Sequence, residues 1–172
     1  MQKILDRLPV LQSIFSVYGV IVFFTYGWSM LLFSWVLPSW LKYLTLNEIG
    51  IMFMYQLWVN LIESLAFLVF LLILSIVLPA RWLREQFSLV AGLFAIVSLG
   101  LLAFLNYQLI QNSWLLYSLG GLVLFFSLMK LSVRFPLLKK GIENFLDRMS
   151  IFIYIFVPLG LVAGVMVLLR KI

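Results

Sequence analysis

Three polar side chains interrupt a long apolar segment, and they are the residues of this chain best suited to chemistry. Gln56, Asn60 and Glu63 lie between Tyr55 and Pro79, where most other residues are hydrocarbon. Residues three and four positions apart share one face of an α-helix, so the two amides and the carboxylate form one polar stripe. A carboxylate beside amides suits a cation, a proton or a polar ligand, and the stripe is therefore the candidate binding site.

The position of Glu63 is costly if its segment crosses a membrane. A charge in the hydrocarbon costs at least a few kcal/mol on insertion scales, and pairing, burial against other helices or protonation reduces that cost. Counting about 20 residues back from Pro79 places Glu63 about one turn below the outer edge of the hydrocarbon. Three interpretations stay open: a site for an ion, a proton or a polar substrate; a protonated or hydrogen-bonded group that fastens helices together; and an acid at the outer interface, close to water.

Polar side chains elsewhere are candidate neighbours of the stripe. Tyr18, Thr25 and Ser29 lie along one side of the first apolar segment, and Lys42 is the nearest basic residue on the outer side. The loop between the third and fourth segments adds four amides: Asn106, Gln108, Gln111 and Asn112. Together these groups predict an outward-facing polar cluster around Glu63.

Composition argues against most enzymatic chemistry. The 172 residues include no histidine and no cysteine, so the chain lacks an imidazole base, a thiolate and the usual ligands of haem and transition metals. The only aspartates, Asp6 and Asp147, lie at predicted segment ends rather than paired inside the membrane. No phosphate-binding GxxxxGK loop occurs. We therefore expect a non-enzymatic protein with no catalytic residue, no metal site and no cofactor.

The apolar content predicts an integral membrane protein. Hydrophobic residues make up 65% of the chain and charged residues 10%, whereas a soluble domain is about half apolar and about a quarter charged. Lipid must therefore be the solvent for much of the surface. The fold predicted is an all-α polytopic transmembrane bundle, a single integral membrane domain with five spans at about 11–37, 49–78, 87–105, 114–133 and 149–169. Pro38 is expected to end the first span, because proline cannot continue the hydrogen-bond ladder.

The basic residues predict an orientation. With the N-terminus in the cytoplasm, nine of the twelve Lys and Arg residues lie on the inner side, and Lys42, Arg170 and Lys171 lie outside. The pair at the C-terminus departs from the rule, and a last segment that does not cross, leaving four spans, is the alternative to five. The amphipathic segment 134–148 is basic and predicts a short helix on the cytoplasmic membrane surface.

The net charge of +6 indicates partners among lipids rather than nucleic acids. No dense Lys/Arg patch with exposed aromatic residues occurs on a soluble segment, as a nucleic-acid interface would need. Anionic headgroups on the cytoplasmic side are the expected binding partners of the basic residues. The location expected is an inner (cytoplasmic) membrane of bacterial type.

Small residues predict where helices pack closely. Gly160 and Gly164 form a GxxxG pattern in the last span, which lets two backbones approach each other within one chain or between copies. Gly92, Ala95 and Ser98 form a similar stripe in the third span. Pro158 predicts a kink in the last span.

Two functions are compatible with these features. The first is a non-enzymatic structural or accessory subunit of a homo-oligomer or of a larger membrane complex, because the predicted spans contain so little charge. The second is a small cation or proton channel or carrier, in which Glu63, with Asn60 and Gln56, binds the ion. A pore is easier to build when several copies each contribute one stripe, because a ring of carboxylates selects cations.

Overall fold

The computed structural model describes residues 9–77, 87–108 and 114–170, and this part of the chain folds into helices joined by short connections. Six helices follow one another: α1 (Leu11–Trp40), α2 (Leu46–Val77), α3 (Phe87–Gln108), α4 (Trp114–Arg134), α5 (Pro136–Met149) and α6 (Ile151–Arg170). The described residues form no β-strand, which confirms the all-α bundle predicted from the sequence.

The helices are long and apolar, as a membrane protein requires. Four helical stretches of the described chain are long and apolar enough to cross a membrane: Leu11–Trp40, Leu46–Val77, Phe87–Phe104 and Pro136–Arg170. A shorter apolar stretch, Tyr117–Ser132, lies in α4. At about 1.5 Å per residue, α1 and α2 are about 45 and 48 Å long, so each exceeds a hydrocarbon core of about 30 Å and must tilt or extend into the headgroups.

The end of α1 differs from the sequence prediction. The helix does not stop at Pro38 but continues through it to Trp40. Proline removes only its own N–H, and the N–H of Leu41 still donates to the carbonyl of Leu37 at 3.0 Å, which closes the last turn.

The start of α2 also differs from the prediction, because the helix begins at Leu46 rather than at residue 49. A capping box joins Thr45, just before the helix, to Glu48 in its first turn. The carboxylate of Glu48 accepts hydrogen bonds from the backbone N–H and the hydroxyl of Thr45, both at 2.8 Å. This T-x-x-E pattern is visible in the sequence and is the signal that locates the helix start.

The central helix of the bundle is α1. The helices α2, α3, α5 and α6 all pack against it, while α4 packs at the periphery on α3 and α5. Every residue of α1 from Ser16 to Val22 is buried. A run of buried residues that covers all faces of a helix requires neighbours all round it.

The packing of α3 is tighter at one end of the bundle than at the other. At the end that contains α5, here called the closed end, most residues of α3 from Phe87 to Ala95 are buried. The fully buried Leu146 of α5 lies over Gly92 there. Toward the end that contains the α1–α2 turn, here called the open end, residues 96–104 of α3 are only partly buried or exposed. Toward the open end α3 therefore packs less closely on its neighbours.

The apolar face of α5 packs on the bundle. Ile142, Leu146 and Met149 belong to the core or pack against it, while Lys140 and Arg148 are exposed on the other side. The amphipathic pattern that predicts a helix lying on lipid is thus used for packing on other helices. Asp147 adds a polar link, since its carboxylate accepts a hydrogen bond from the hydroxyl of Ser16 in α1 at 2.5 Å.

The GxxxG pattern of α6 packs within the chain, against α2 and α1. A Cβ on Gly160 would lie 2.5 Å from the hydroxyl of Tyr26 and 3.0 Å from the Cβ of Leu61. A Cβ on Gly164 would overlap the indole ring of Trp58. The two glycines therefore let α6 lie directly on α2, and α6 continues through Pro158 without interruption.

Candidate functional site

A groove opens between α2 and α3 in the half of the bundle toward the open end, with α1 as its floor. It forms because α2 and α3 both pack on α1 but make little direct contact with each other. The groove has a volume of about 510 Å³, and its apolar wall on α3 consists of Leu99, Leu102 and Ala103. Its polar lining comes from α1 and α2: Thr25, Trp28, Ser29, Tyr55, Gln56, Asn60 and Glu63.

Ser29 binds two of the three site residues predicted from the sequence. The amide of Gln56 donates to the backbone carbonyl of Ser29 at 2.7 Å and also contacts its hydroxyl. The amide of Asn60 donates to the same hydroxyl at 2.9 Å, and Asn60 is only 5% exposed. Both amides are therefore engaged in fastening α2 to α1.

We expect Ser29→Ala to lower the free energy of unfolding in micelles by about 1–2 kcal/mol, because Gln56 and Asn60 both lose their hydroxyl acceptor. Equilibrium unfolding of the purified protein measures the loss. Ser34→Ala is the matched control, since the hydroxyl of Ser34 is exposed and bonds only to the carbonyl of Met30 in its own helix. Equal losses in the two variants would show that the contact with α2 contributes nothing.

The contact between α1 and α2 continues toward the closed end. The hydroxyl of Tyr26 donates to the carbonyl of Leu57 at 3.2 Å, and the hydroxyls of Tyr18 and Ser64 lie 3.5 Å apart. Ser64 is fully buried. The buried part of the polar stripe is thus a seam between two helices.

Glu63 stands apart from this seam. Its side chain is exposed and lines the groove, and it makes no hydrogen bond or ion pair within the described residues. The residues that face α1 are four apart, at Gln56, Asn60 and Ser64. Because successive residues turn by about 100° around a helix, Glu63 falls at the edge of that face. The structure therefore brings the two amides together and leaves the acid free.

Glu63 lies near the middle of α2. The helix runs from Leu46 to Val77, so Glu63 is far from both of its ends. Thr25, which lines the same groove, is likewise near the middle of α1. The depth predicted for Glu63, about one turn below the outer edge of the hydrocarbon, depends on Pro79, which is outside the described residues, and it stays a prediction.

Two other predicted neighbours, Thr25 and Lys42, make no hydrogen bond or ion pair with Glu63. The hydroxyl of Thr25 donates to the carbonyl of Ile21 in its own helix at 2.7 Å. Lys42 is exposed in the turn at the open end. The side chains of Asn106 and Gln108, and residues 111 and 112 as a whole, are outside the described part of the chain.

Trp28 is a member of the groove that the sequence did not indicate. Its indole nitrogen is buried and has no hydrogen-bond partner among the described residues. The α3 wall was also missed, because Leu99, Leu102 and Ala103 are apolar and look like any lipid-facing residues. No polar pattern distinguishes such a wall before the helices are assembled.

The free groups of the groove define the ligands it suits. Glu63 offers a carboxylate to a cation or a hydrogen-bond donor, whereas the N–H of Trp28 is buried and is not accessible to a ligand in the groove. Within the described residues, no group of three or more acids is placed to hold a metal ion. Comparison of the chain with protein-family models, with curated proteins and with solved structures gives no match.

Proposed function

We propose that the protein is a non-enzymatic transmembrane subunit of a larger membrane complex, and that its α1–α2–α3 groove receives a transmembrane helix of another subunit. The observation that carries the proposal is the exposed Glu63 near the middle of α2, without a partner in the described residues. An ionisable group at such a level in a membrane is expensive unless it is paired. A partner that supplies a cation or a donor removes that cost.

The described residues contain no basic side chain at the level of Glu63, which favours a different molecule as the source of the positive charge. Every basic residue of the described chain lies in a helix end, a turn or α5, away from the level of Glu63: Lys42, Lys130, Arg134, Lys139, Lys140, Arg148 and Arg170. A second copy in the same orientation would carry these described basic residues at the same levels. Charge complementarity therefore favours a different subunit over a homo-oligomer.

The walls of the groove suit an apolar helix. Val59 on α2 and Leu102 on α3 expose large apolar side chains, and Ala103 leaves room for close approach. The amides of Gln56 and Asn60 are engaged with Ser29. The partner inferred is thus a mostly apolar helix with one Lys or Arg near its middle.

The distribution of charge supports an N-terminus in the cytoplasm of a bacterial-type inner membrane. Of the described basic residues, only Lys42 and Arg170 lie at the open end, and the others lie at or near the closed end. The positive-inside rule then places the closed end in the cytoplasm. In this orientation the exposed Lys140 and Arg148 of α5 meet anionic headgroups.

A designed transmembrane helix tests the groove directly. In vesicles that contain the purified protein, we expect a Leu/Ala helix with one central Lys to associate about tenfold more tightly than the same helix with a central Leu. Energy transfer between labelled protein and labelled helix measures the association. Glu63→Gln should remove the preference for Lys, because the amide carries no charge.

Glu48→Gln is the control, because it removes a carboxylate at the open end, outside the groove. This variant should keep the preference for the Lys helix. Equal binding of the Lys and Leu helices to the unaltered protein, or a preference that survives in Glu63→Gln, would overturn the proposal.

The alternative function is a small channel or carrier for cations or protons. One arrangement favours it: Gln56, Asn60 and Glu63 all line the same groove, and several copies would bring several carboxylates together. The subunit proposal predicts no proton or potassium flux that depends on Glu63 in liposomes. A flux that is lost in Glu63→Gln and kept in Glu48→Gln would contradict the subunit proposal and support ion conduction.

A further inference from the structure

A second cavity opens at the open end, between the first turns of α2 and the last turns of α6. It has a volume of about 490 Å³ and does not share residues with the α1–α2–α3 groove. The residues that matter for its chemistry are Asn47, Gly50 and Met54 on α2, and Met166 and Arg170 on α6.

The cavity changes from polar to apolar along the helix axes. Asn47 and Arg170 lie at the ends of their helices, where α2 begins and α6 finishes. Met54 and Met166 lie about one to two turns deeper, at about 3.6 residues per turn. A polar group above apolar side chains is the order in which a phospholipid presents its phosphate and its acyl chains, and methionine adapts well to a flexible chain.

The guanidinium N–H donors of Arg170 are available to a ligand. It is exposed, and it makes no ion pair or hydrogen bond within the described residues. The described acid at this end is Glu48, whose carboxylate already accepts two hydrogen bonds from Thr45. A guanidinium fits a phosphate with two parallel N–H donors.

Gly50 leaves the α2 side of the cavity open. A Cβ at this position would meet nothing within 4 Å. The space beside the helix is therefore available to a ligand, and a large side chain introduced there would fill it without forcing the helices apart.

We propose that this cavity binds an anionic phospholipid, with its phosphate on Arg170 and Asn47 and an acyl chain beside Gly50, Met54 and Met166. The site also accounts for a basic residue at the end of the bundle where the orientation rule disfavours one. It is independent of Glu63 and of any partner subunit.

Native mass spectrometry of the protein in micelles with equal amounts of phosphatidylglycerol and phosphatidylcholine tests the proposal. We expect phosphatidylglycerol to remain bound in preference, and Arg170→Gln to weaken its binding about tenfold, as loss of a charge-assisted hydrogen bond predicts. Gly50→Phe should lower the binding of both lipids by filling the cavity. A melting temperature close to that of the unaltered protein shows that each variant is folded.

Two control variants distinguish binding at this site from general electrostatic attraction of anionic lipid to the protein. Lys42→Gln removes one positive charge at the same end, and Gly120→Phe adds a ring on α4, where a Cβ likewise meets nothing within 4 Å. Neither should change lipid binding. Binding that is unaffected by Arg170→Gln, or reduced equally by Lys42→Gln, would overturn the proposal.

Inorganic phosphate distinguishes a lipid site from a simple phosphate site. We expect it not to displace phosphatidylglycerol, because it lacks the acyl chain. If phosphate competes and Gly50→Phe has no effect, the ligand is free phosphate and the lipid assignment is wrong.

Discussion

Gly19→Ala is expected to lower the free energy of unfolding by about 3 kcal/mol, the upper end of the usual cost of overpacking. A Cβ on Gly19 would lie 2.6 Å from both the backbone nitrogen and the Cα of Ser150. Atoms of the main chain cannot rotate out of the way as the tip of a side chain can. The substitution must therefore push α1 away from the junction between α5 and α6.

That separation would disturb other contacts at the closed end. The hydrogen bond from Ser16 to Asp147 joins α1 to α5. Leu146 packs in the core one turn away from Ser150. Reversible unfolding in mixed detergent micelles, followed by the far-ultraviolet circular dichroism of the helices, measures the loss.

Gly27→Ala is the matched control, because Gly27 lies in the same helix and a Cβ there would meet nothing within 4 Å. Replacing this glycine should be neutral or should stabilise the helix by up to about 1 kcal/mol, through helix propensity alone. If both variants unfold at the same fraction of denaturing detergent, α1 does not approach Ser150 as closely as described.

The helices could be predicted from the sequence because each depends on a local property. Long apolar runs between charged or polar segments set the positions of α1, α2, α3, α4 and α6, and the amphipathic period sets α5. The errors at helix ends were local too. The capping box of Thr45 and Glu48 is visible in the sequence, and Pro38 lies near the end of α1, where the helix continues through it to Trp40.

Only part of the site could be predicted from the sequence, because contacts with both α1 and α6 fix the rotation of α2 about its own axis. Gln56, Asn60 and Ser64 face α1, while Leu57 and Trp58 face the glycines of α6. The spacing of polar residues predicts a shared face, and Ser29 was among the expected neighbours. A GxxxG pattern does not name the helix that it packs on, so nothing in α2 alone shows that Glu63 falls outside both contacts.

Gly19 shows the limit of sequence patterns most clearly. It follows Ser13 and Ser16 at a spacing of three, but such a stripe of small residues does not show which segment it packs on. Its importance comes from a backbone that lies far along the chain, at Ser150. A contact of this kind becomes visible only when the helices are assembled.

Gly164→Ala is expected to cost about 2–3 kcal/mol of unfolding free energy, because its new Cβ overlaps the ring of Trp58. Here the obstacle is a side chain, so a second substitution can remove it. In the background of Trp58→Leu, we expect Gly164→Ala to cost less than about 0.5 kcal/mol. The double-mutant cycle then gives a coupling energy of about 2 kcal/mol, within the range for residues in direct contact.

Gly160→Ala provides the control within the same motif. Its Cβ would meet the hydroxyl of Tyr26 and the Cβ of Leu61 rather than the indole, so its cost should be the same with Trp58 or Leu at position 58. The contact of α6 with α2 also fixes the rotation that keeps Glu63 in the groove, and Gly164→Ala should therefore weaken the preference for the Lys-containing helix. If Gly164→Ala costs the same in both backgrounds, α6 packs on another face of α2, and the placement of Glu63 changes with it.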